Sequence, residues 1–240
     1  MRNCNLEQLN IQGCSSLTSF PSGELPSTLK HLVISNCGNL ELLSDHMPNL
    51  TFLHIGGCKG LKHHHLQNLT SLEHLSITGC PSLESLREGG LGFAPNLRVV
   101  EIVNCEKLKT PLSEWGLNRL LSLKELTIAP GGYQNVVSFS HDDDDCHLRL
   151  PTSLTFIRIG NFQNLESMAS LPLPTLVSLE LLYISDCPKL QQFLPKEGLP
   201  ATLGRLRIRR CPIIEERCLK GRGEDWPHIA HIPYIVIGRN

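Results

Sequence analysis

Apolar and polar positions follow one short figure that returns about every 25 residues along this chain. Counted from the first leucine of each copy, the figure is Leu-x-x-Leu-x-Ile-x-x-Cys-x-x-Leu, as in Leu29-Leu32-Ile34-Cys37-Leu40 and Leu72-Leu75-Ile77-Cys80-Leu83. Nine copies begin at Leu6, Leu29, Leu50, Leu72, Leu97, Leu123, Leu154, Leu179 and Leu203. The second and third apolar positions lie two residues apart, so they share one face of a strand and the residues around them share the other. Each copy therefore predicts one short strand with an inward apolar side.

A period of this length with leucines at fixed offsets is the signature of leucine-rich repeats, each of which makes one turn of a solenoid. Between strands the chain returns through proline-bearing segments such as Leu25-Pro26-Ser27, Met47-Pro48-Asn49, Ala94-Pro95-Asn96, Leu150-Pro151-Thr152 and Leu199-Pro200-Ala201. Proline bends the chain without donating a ladder hydrogen bond and disfavours a continuous helix. The expected fold is an α/β solenoid: a leucine-rich-repeat horseshoe with a parallel concave sheet and mostly irregular or short 3₁₀ turns on the convex side. About nine units fill 1–217 and lack an N-terminal cap, since Met1 stands five residues before the first repeat leucine. Residues 218–240 are expected to cap the last coil, with a short helix near Ile213–Cys218 and apolar groups from Trp226, Ile229, Ile232, Tyr234 and Ile235. An uncapped first coil would expose apolar surface and unpaired backbone, so the chain reads as a fragment or a truncated gene product.

The figure also accounts for the composition. Leucine occurs 43 times and cysteine 10 times in 240 residues. Cys14, Cys37, Cys58, Cys80, Cys105, Cys187 and Cys211 fall on the repeat, while Cys4, Cys146 and Cys218 do not. A cysteine at one corner of successive coils serves as a small buried hydrophobe with a weak donor. No Cys-x-x-Cys pair suggests zinc, and a secreted disulfide framework has no reason to keep phase with leucine. The sixth copy departs most, with Gly131 in the cysteine place. A net charge of -1 argues against binding polyanions by bulk charge. No apolar run is long enough to span a bilayer, and the first twenty residues lack a signal-peptide pattern.

The polar face of the predicted sheet can be read row by row. Two residues after the starting leucines stand His31, Phe52, His74, Glu125, Phe156 and Arg205, and four after stand His54, Glu101, Arg158, Tyr183 and Arg207. Arg209 follows in the row six after. These twelve residues form the candidate concave protein-binding surface, because aromatic and arginine side chains dominate protein-binding hot spots. His31, His54 and His74 lie on adjacent strands without in-phase carboxylates, which argues against a zinc site. The run Asp142–Asp145 lacks the alternation and glycine of a calcium loop and reads as a solvated insertion, as does His63-His64-His65 on an outer turn. Asn49-Leu50-Thr51 and Asn68-Leu69-Thr70 match a glycosylation pattern only because the repeat sets Asn-Leu beside Thr. No catalytic motif and no cofactor site is legible, so no enzyme is expected and no nucleic-acid partner.

The segments Ile184-Ser185-Asp186-Cys187-Pro188-Lys189-Leu190 and Ile77-Thr78-Gly79-Cys80-Pro81-Ser82-Leu83, with the ending Gly223-Glu224-Asp225-Trp226-Pro227-His228-Ile229-Ala230-His231-Ile232-Pro233, resemble the C-terminal leucine-rich repeats of plant coiled-coil NB-ARC disease-resistance proteins. The resemblance implies a cytoplasmic, non-catalytic recognition module acting in plant defence. Its implied partners are a pathogen effector, a guarded host protein, or the nucleotide-binding module of the parent receptor, which the repeats help hold inactive. The chain departs from such receptors in having no Gly-Lys dipeptide, hence no phosphate-binding loop, and no coiled-coil heptads. The alternative is the substrate-binding repeat of an F-box ubiquitin-ligase adaptor, whose repeats also carry cysteine at this turn but continue into a convex helix. An extracellular inhibitor of a pathogen enzyme is disfavoured by the missing Gly-x-Ile-Pro tail.

Overall fold

The computed structural model describes residues 5–19, 25–41, 43, 47–64, 69–86, 91, 94–133, 135–139 and 148–238. The acidic run Asp142–Asp145, Cys4, Cys146, His65 and Asn68 lie outside them. The chain folds as two compact bodies, Met1–Leu123 and Lys124–Asn240. In the first body stand β1 (Gln8–Gln12), β2 (His31–Ser35), β3 (Phe52–Gly56), β4 (His63–His64), β5 (His74–Thr78), β6 (Ser85–Leu86) and β7 (Val99–Val103). The second holds β8 (Glu125–Ala129), β9 (Phe156–Gly160), β10 (Leu181–Ser185), β11 (Arg205–Arg209), α1 (Pro212–Arg217), α2 (Trp226–Ile229) and β12 (Tyr234–Ile237).

Every repeat strand begins two residues after its starting leucine and runs for five residues, as the figure predicts. In the first body β1, β2, β3, β5 and β7 pair in parallel and in that order, each repeat position facing its counterpart. In the second, β8, β9, β10, β11 and β12 do the same. The fold is a leucine-rich-repeat solenoid. Its core is the stack of repeat positions: Leu32, Ile34, Leu53, Ile55, Leu75 and Ile77 are fully buried in the first body, and Leu182, Ile184, Leu206 and Ile208 in the second. In-register pairing follows from the period-2 pattern, because a one-residue slip would turn each of these side chains to the outer face.

The strand ends explain the cysteine. Seven residues after the starting leucine the backbone turns left-handed, at Gly13, Asn36, Gly57, Gly79, Asn104, Asn161, Asp186 and Arg210. The next residue is the cysteine except after Asn161, where it is Phe162, and the thiol donates to the carbonyl of the last strand residue: Cys37 to Ser35, Cys58 to Gly56, Cys80 to Thr78, Cys105 to Val103 and Cys187 to Ser185. Its own carbonyl accepts the N–H of the leucine three residues on, as Cys37 does from Leu40 and Cys187 from Leu190. Cys-x-x-Leu is thus a closed turn, and Pro81 and Pro188 take the position after its first residue where a fixed φ fits. Burial pushes the Cys80 thiol up to about 12 and Cys105 to about 11, and raises Cys58 as well. Cys14 is the exception and is exposed, because among the described residues the first coil is covered from one side only.

The sixth copy departs for a covalent reason. Pro130 occupies the place that must turn left-handed, and its ring forbids a positive φ. The turn moves on by one residue, to Gly131 at φ 75°. Phe162 then stands in the cysteine place of the next coil, fully buried, stacked on Tyr133 at 5.7 Å and meeting Phe139 edge-on at 5.4 Å.

Between strands the chain makes tight turns, with Leu50 N–H bonded to the Met47 carbonyl and Leu203 N–H to Pro200. Between the nine repeat strands, helical structure among the described residues is limited to 3₁₀ turns at Leu112–Trp115, Leu117–Arg119 and Leu173–Thr175. The pattern hides one feature: His63–His64 is not an outer turn but β4, paired with β6. The ladder carries on past the cysteine corner there, with Glu84 N–H bonded to the Lys62 carbonyl. Of the asparagines that mimic glycosylation sites, Asn49 has a structural use, since it donates its amide to the Ser27 carbonyl of the neighbouring coil, as Asn96 does to the Thr70 carbonyl.

At the C-terminus α1 covers Pro212–Arg217 and buries Ile214, and Cys218, Ile229 and Ile232 are buried beside it. The segment ends as a strand: β12 pairs with β11, with Tyr234 opposite Arg205 and Ile237 opposite Ile208. That register sets Tyr234 in an outward row, 51% exposed, so it does not join the apolar closure expected of it. The other expected contributors are more covered, Trp226 and Ile235 being half-buried.

Candidate functional site

Each body presents part of the predicted surface. In the first, parallel pairing sets His31, Phe52 and His74 in one row on β2, β3 and β5. The strand spacing of about 4.8 Å suits stacking. Phe52 lies between the two imidazoles, 5.5 Å from His31 and 4.5 Å from His74, with rings within 18° of parallel. The three histidines therefore do not converge as metal ligands would, because two are held by Phe52 and the third stands in the next row.

That next row holds a relay. His54, Ser76 and Glu101 sit side by side on β3, β5 and β7, with His54 Nδ1 at 3.0 Å from Ser76 Oγ and the hydroxyl donating to Glu101 Oε2 at 2.8 Å. Serine has one proton and it goes to the carboxylate, so His54 must be the donor through Nδ1–H. The geometry fixes the tautomer, leaving Nε2 as the acceptor of a neutral ring. Ser76 is 2% exposed, a buried polar link fully used by its two neighbours. The three groups can orient a partner's donor against the ring, but the hydroxyl, bound on both sides, is not arranged as a nucleophile.

In the second body the same rows carry Glu125, Phe156, Leu181 and Arg205, and then Arg158, Tyr183 and Arg207. The Arg158 guanidinium lies 5.0 Å from the centre of the Tyr183 ring, a cation–π contact. The sequence presents Arg205, Arg207 and Arg209 as one basic strand, yet the structure divides them. Arg205 joins Glu125, Phe156, Leu181 and Glu180 around a groove of about 680 Å³ with mixed charge. Arg209 joins Arg158, Tyr183, Asp186 and Arg210 around a smaller hollow of about 300 Å³. Arg210 is paired with Asp186 there at 3.0 Å.

Several contributors escape a reading of the sequence by rows. Ser76 looks like a filler until register sets it between His54 and Glu101. Asp186 and Arg210 belong to the left-handed corner rather than to the strand face. Gly160 matters through what it lacks: a Cβ there would lie 2.6 Å from Ser185 Oγ and 2.9 Å from its carbonyl. The only early signal was the alternation of small residues, Gly160 and Ser185, with large ones, Arg158 and Tyr183, on neighbouring positions.

Residues 1–147 match a family model described as the At1g61320/AtMIF1 LRR domain. Three curated relatives from Arabidopsis thaliana carry disease-resistance names. At3g14460 is 34% identical over 97% of this chain, RPP2A 34% over 34%, and RPS4B 32% over 44%. The chain spans 21% of the first relative's length, 6% of the second's and 9% of the third's. Similarity to disease-resistance proteins thus covers nearly the whole chain, and the family model covers more than half of it. The chain belongs to the leucine-rich-repeat family described by the At1g61320/AtMIF1 LRR domain.

Proposed function

We propose that the chain is the protein-recognition module of an intracellular plant immune receptor, working in the cytoplasm without catalysis or cofactor. The observation that carries this reading is the parallel face of the second body, where Arg158, Tyr183 and Arg207 stand in one row on rigid strands beside Phe156 and Arg209. Aromatic and guanidinium groups held in fixed positions are the side chains that anchor protein partners at small entropic cost. Similarity to disease-resistance proteins supports a defence setting. In that setting the face contacts a pathogen effector or a guarded host protein, or restrains the receptor's nucleotide-binding module. The described convex turns are 3₁₀ or irregular, which supports this reading over the F-box adaptor.

The test uses the full-length receptor that carries these repeats, expressed in leaf tissue. One variant reverses Arg205, Arg207 and Arg209 to glutamate, and another replaces Phe156 and Tyr183 with alanine. Loss of the effector response, or cell death without effector, is the expected result in at least one. Normal response and normal restraint in both defeat the reading.

A further inference from the structure

The hollow on the second body has a definite chemistry. Three guanidinium groups, Arg158, Arg209 and Arg210, face one carboxylate, Asp186, with Tyr183 as the flat wall. The surplus is two positive charges. Asp186 is already engaged by Arg210. The Nε atoms of Arg158 and Arg209, and of Arg207 beside them, are buried without a hydrogen-bond partner among the described residues. A guanidinium also presents its two Nη–H groups as a planar fork, and the planar acceptor that fits this fork is a carboxylate or phosphate oxygen pair.

Backbone register explains why there is room. Gly160, Ser185 and Arg209 form one row, and Arg158, Tyr183 and Arg207 the adjacent one. Two small residues beside two large ones leave a step in the surface at β9 and β10. Arg209 ends the step. The Ser185 hydroxyl is a further buried polar atom without a partner in the same row.

We propose that this hollow seats an acidic side chain, glutamate or aspartate, of the protein partner, held between the forks of Arg158 and Arg209 with its methylene groups against Tyr183. The inference rests on the protein-recognition reading above and names the partner's chemistry. A carboxylate fits better than a phosphate for two reasons. Asp186 in the wall repels a doubly charged anion more than a singly charged one, and the Tyr183 ring offers apolar contact that a phosphate does not use. The neighbouring groove, with Glu125 and Glu180 facing Arg205, has no such surplus of positive charge.

The experiment measures binding of a fluorescein-labelled hexaglutamate peptide to the purified chain at low salt, with free glutamate and inorganic pyrophosphate as competitors. Hexaglutamate is expected to bind, and Arg158→Gln and Arg209→Gln are each expected to weaken it about ten-fold. The exposed Arg119→Gln in the first body, with the same charge change, is expected to weaken it less than about two-fold. Arg158→Lys and Arg209→Lys keep the charge but lose the fork, so they are also expected to weaken binding several-fold and serve if the glutamine variants fail to fold. Absence of hexaglutamate binding, or equal loss in all three glutamine variants, overturns the proposal. Displacement of the peptide by pyrophosphate at lower concentration than by free glutamate overturns it in favour of a phosphate site. Peptide binding beside an unaltered leaf response defeats the receptor reading instead and leaves the carboxylate seat standing.

Discussion

Arg217 lies fork to fork on Asp225, with Nε 2.8 Å from Oδ2 and Nη2 2.9 Å from Oδ1. The Asp225 side chain is 11% exposed, and the Asp225 N–H returns to the Arg217 carbonyl. This contact ties the end of α1 to the start of α2, where the aspartate's hydrogen bond also raises the Arg217 pKa.

Asp225→Asn is therefore expected to cost about 1–3 kcal/mol, since it replaces the charged, nearly buried half of the fork with a neutral amide and leaves Arg217 only its exposed partner Glu224 at 2.9 Å. The exposed pair Lys30–Glu7 provides the contrast, and Glu7→Gln is expected to cost less than about 1 kcal/mol. Urea midpoints of the two variants check both values. Equal losses would remove the special role assigned to the fork.

The cysteine corner predicts alkaline lability. Above pH 9.0 the unfolded chain loses its thiol protons, while folded Cys80 keeps its proton up to about 12 and Cys105 up to about 11. In that window the folded state binds more protons than the unfolded, so stability falls as pH rises, by about 1.4 kcal/mol per pH unit for each such thiol. Melting temperature is expected to be flat in thiol contribution below pH 9 and to drop steeply above it. Replacing Cys80 and Cys105 with alanine is expected to flatten that drop, and an unchanged slope would refute the assignment.

Access separates the thiols in a second way. Cys14 is exposed, whereas Cys37, Cys58, Cys80, Cys105, Cys187, Cys211 and Cys218 are buried. Iodoacetamide on the native protein, read by peptide mass mapping, is expected to label Cys14 quickly and those seven only under denaturant. Rapid native labelling of Cys80 would contradict the closed corner.

Gly160→Ala is expected to destabilise the second body by about 1–3 kcal/mol, because the added methyl meets both the hydroxyl and the carbonyl of Ser185. Gly204→Ala, which meets only the Glu180 carbonyl at 3.8 Å, is the matched control. Adding Ser185→Ala removes the hydroxyl but not the carbonyl, so thermal melts are expected to show only partial rescue.

The relay in the first body predicts a tautomer. Nitrogen-15 NMR near neutral pH is expected to find His54 protonated at Nδ1, and Ser76→Ala to abolish that preference. A dominant Nε2–H form in the unaltered protein would show that the hydroxyl does not donate to Glu101.

The repeat leucines and isoleucines, the starting point of each strand and the cysteine corner were all legible in the chain, because the first three obey a local rule repeated nine times and the corner one repeated seven times. The period-2 pattern specifies which side chains face inward, and the need to bury them sets the register. The sixth copy was visible as a departure, but that Pro130 displaces the turn to Gly131, and that Phe162 stacks on Tyr133, depends on neighbouring coils. β4 and β12 were hidden for the same reason: a two-residue strand, or one beyond the last full copy, exists only because an adjacent strand supplies its hydrogen bonds.

The candidate surface divides along the same line. Sequence rows determined that His54, Glu101, Arg158, Tyr183 and Arg209 point away from the core, since alternation within a strand is a property of the backbone. Tertiary structure alone decided that Ser76 bridges His54 to Glu101, that Phe52 separates two histidines, and that Arg205 and Arg209 serve different hollows. Those relationships lie across strands some 22 to 25 residues apart in the chain. They depend on which side chains are small enough to leave space and which donors their neighbours fail to satisfy.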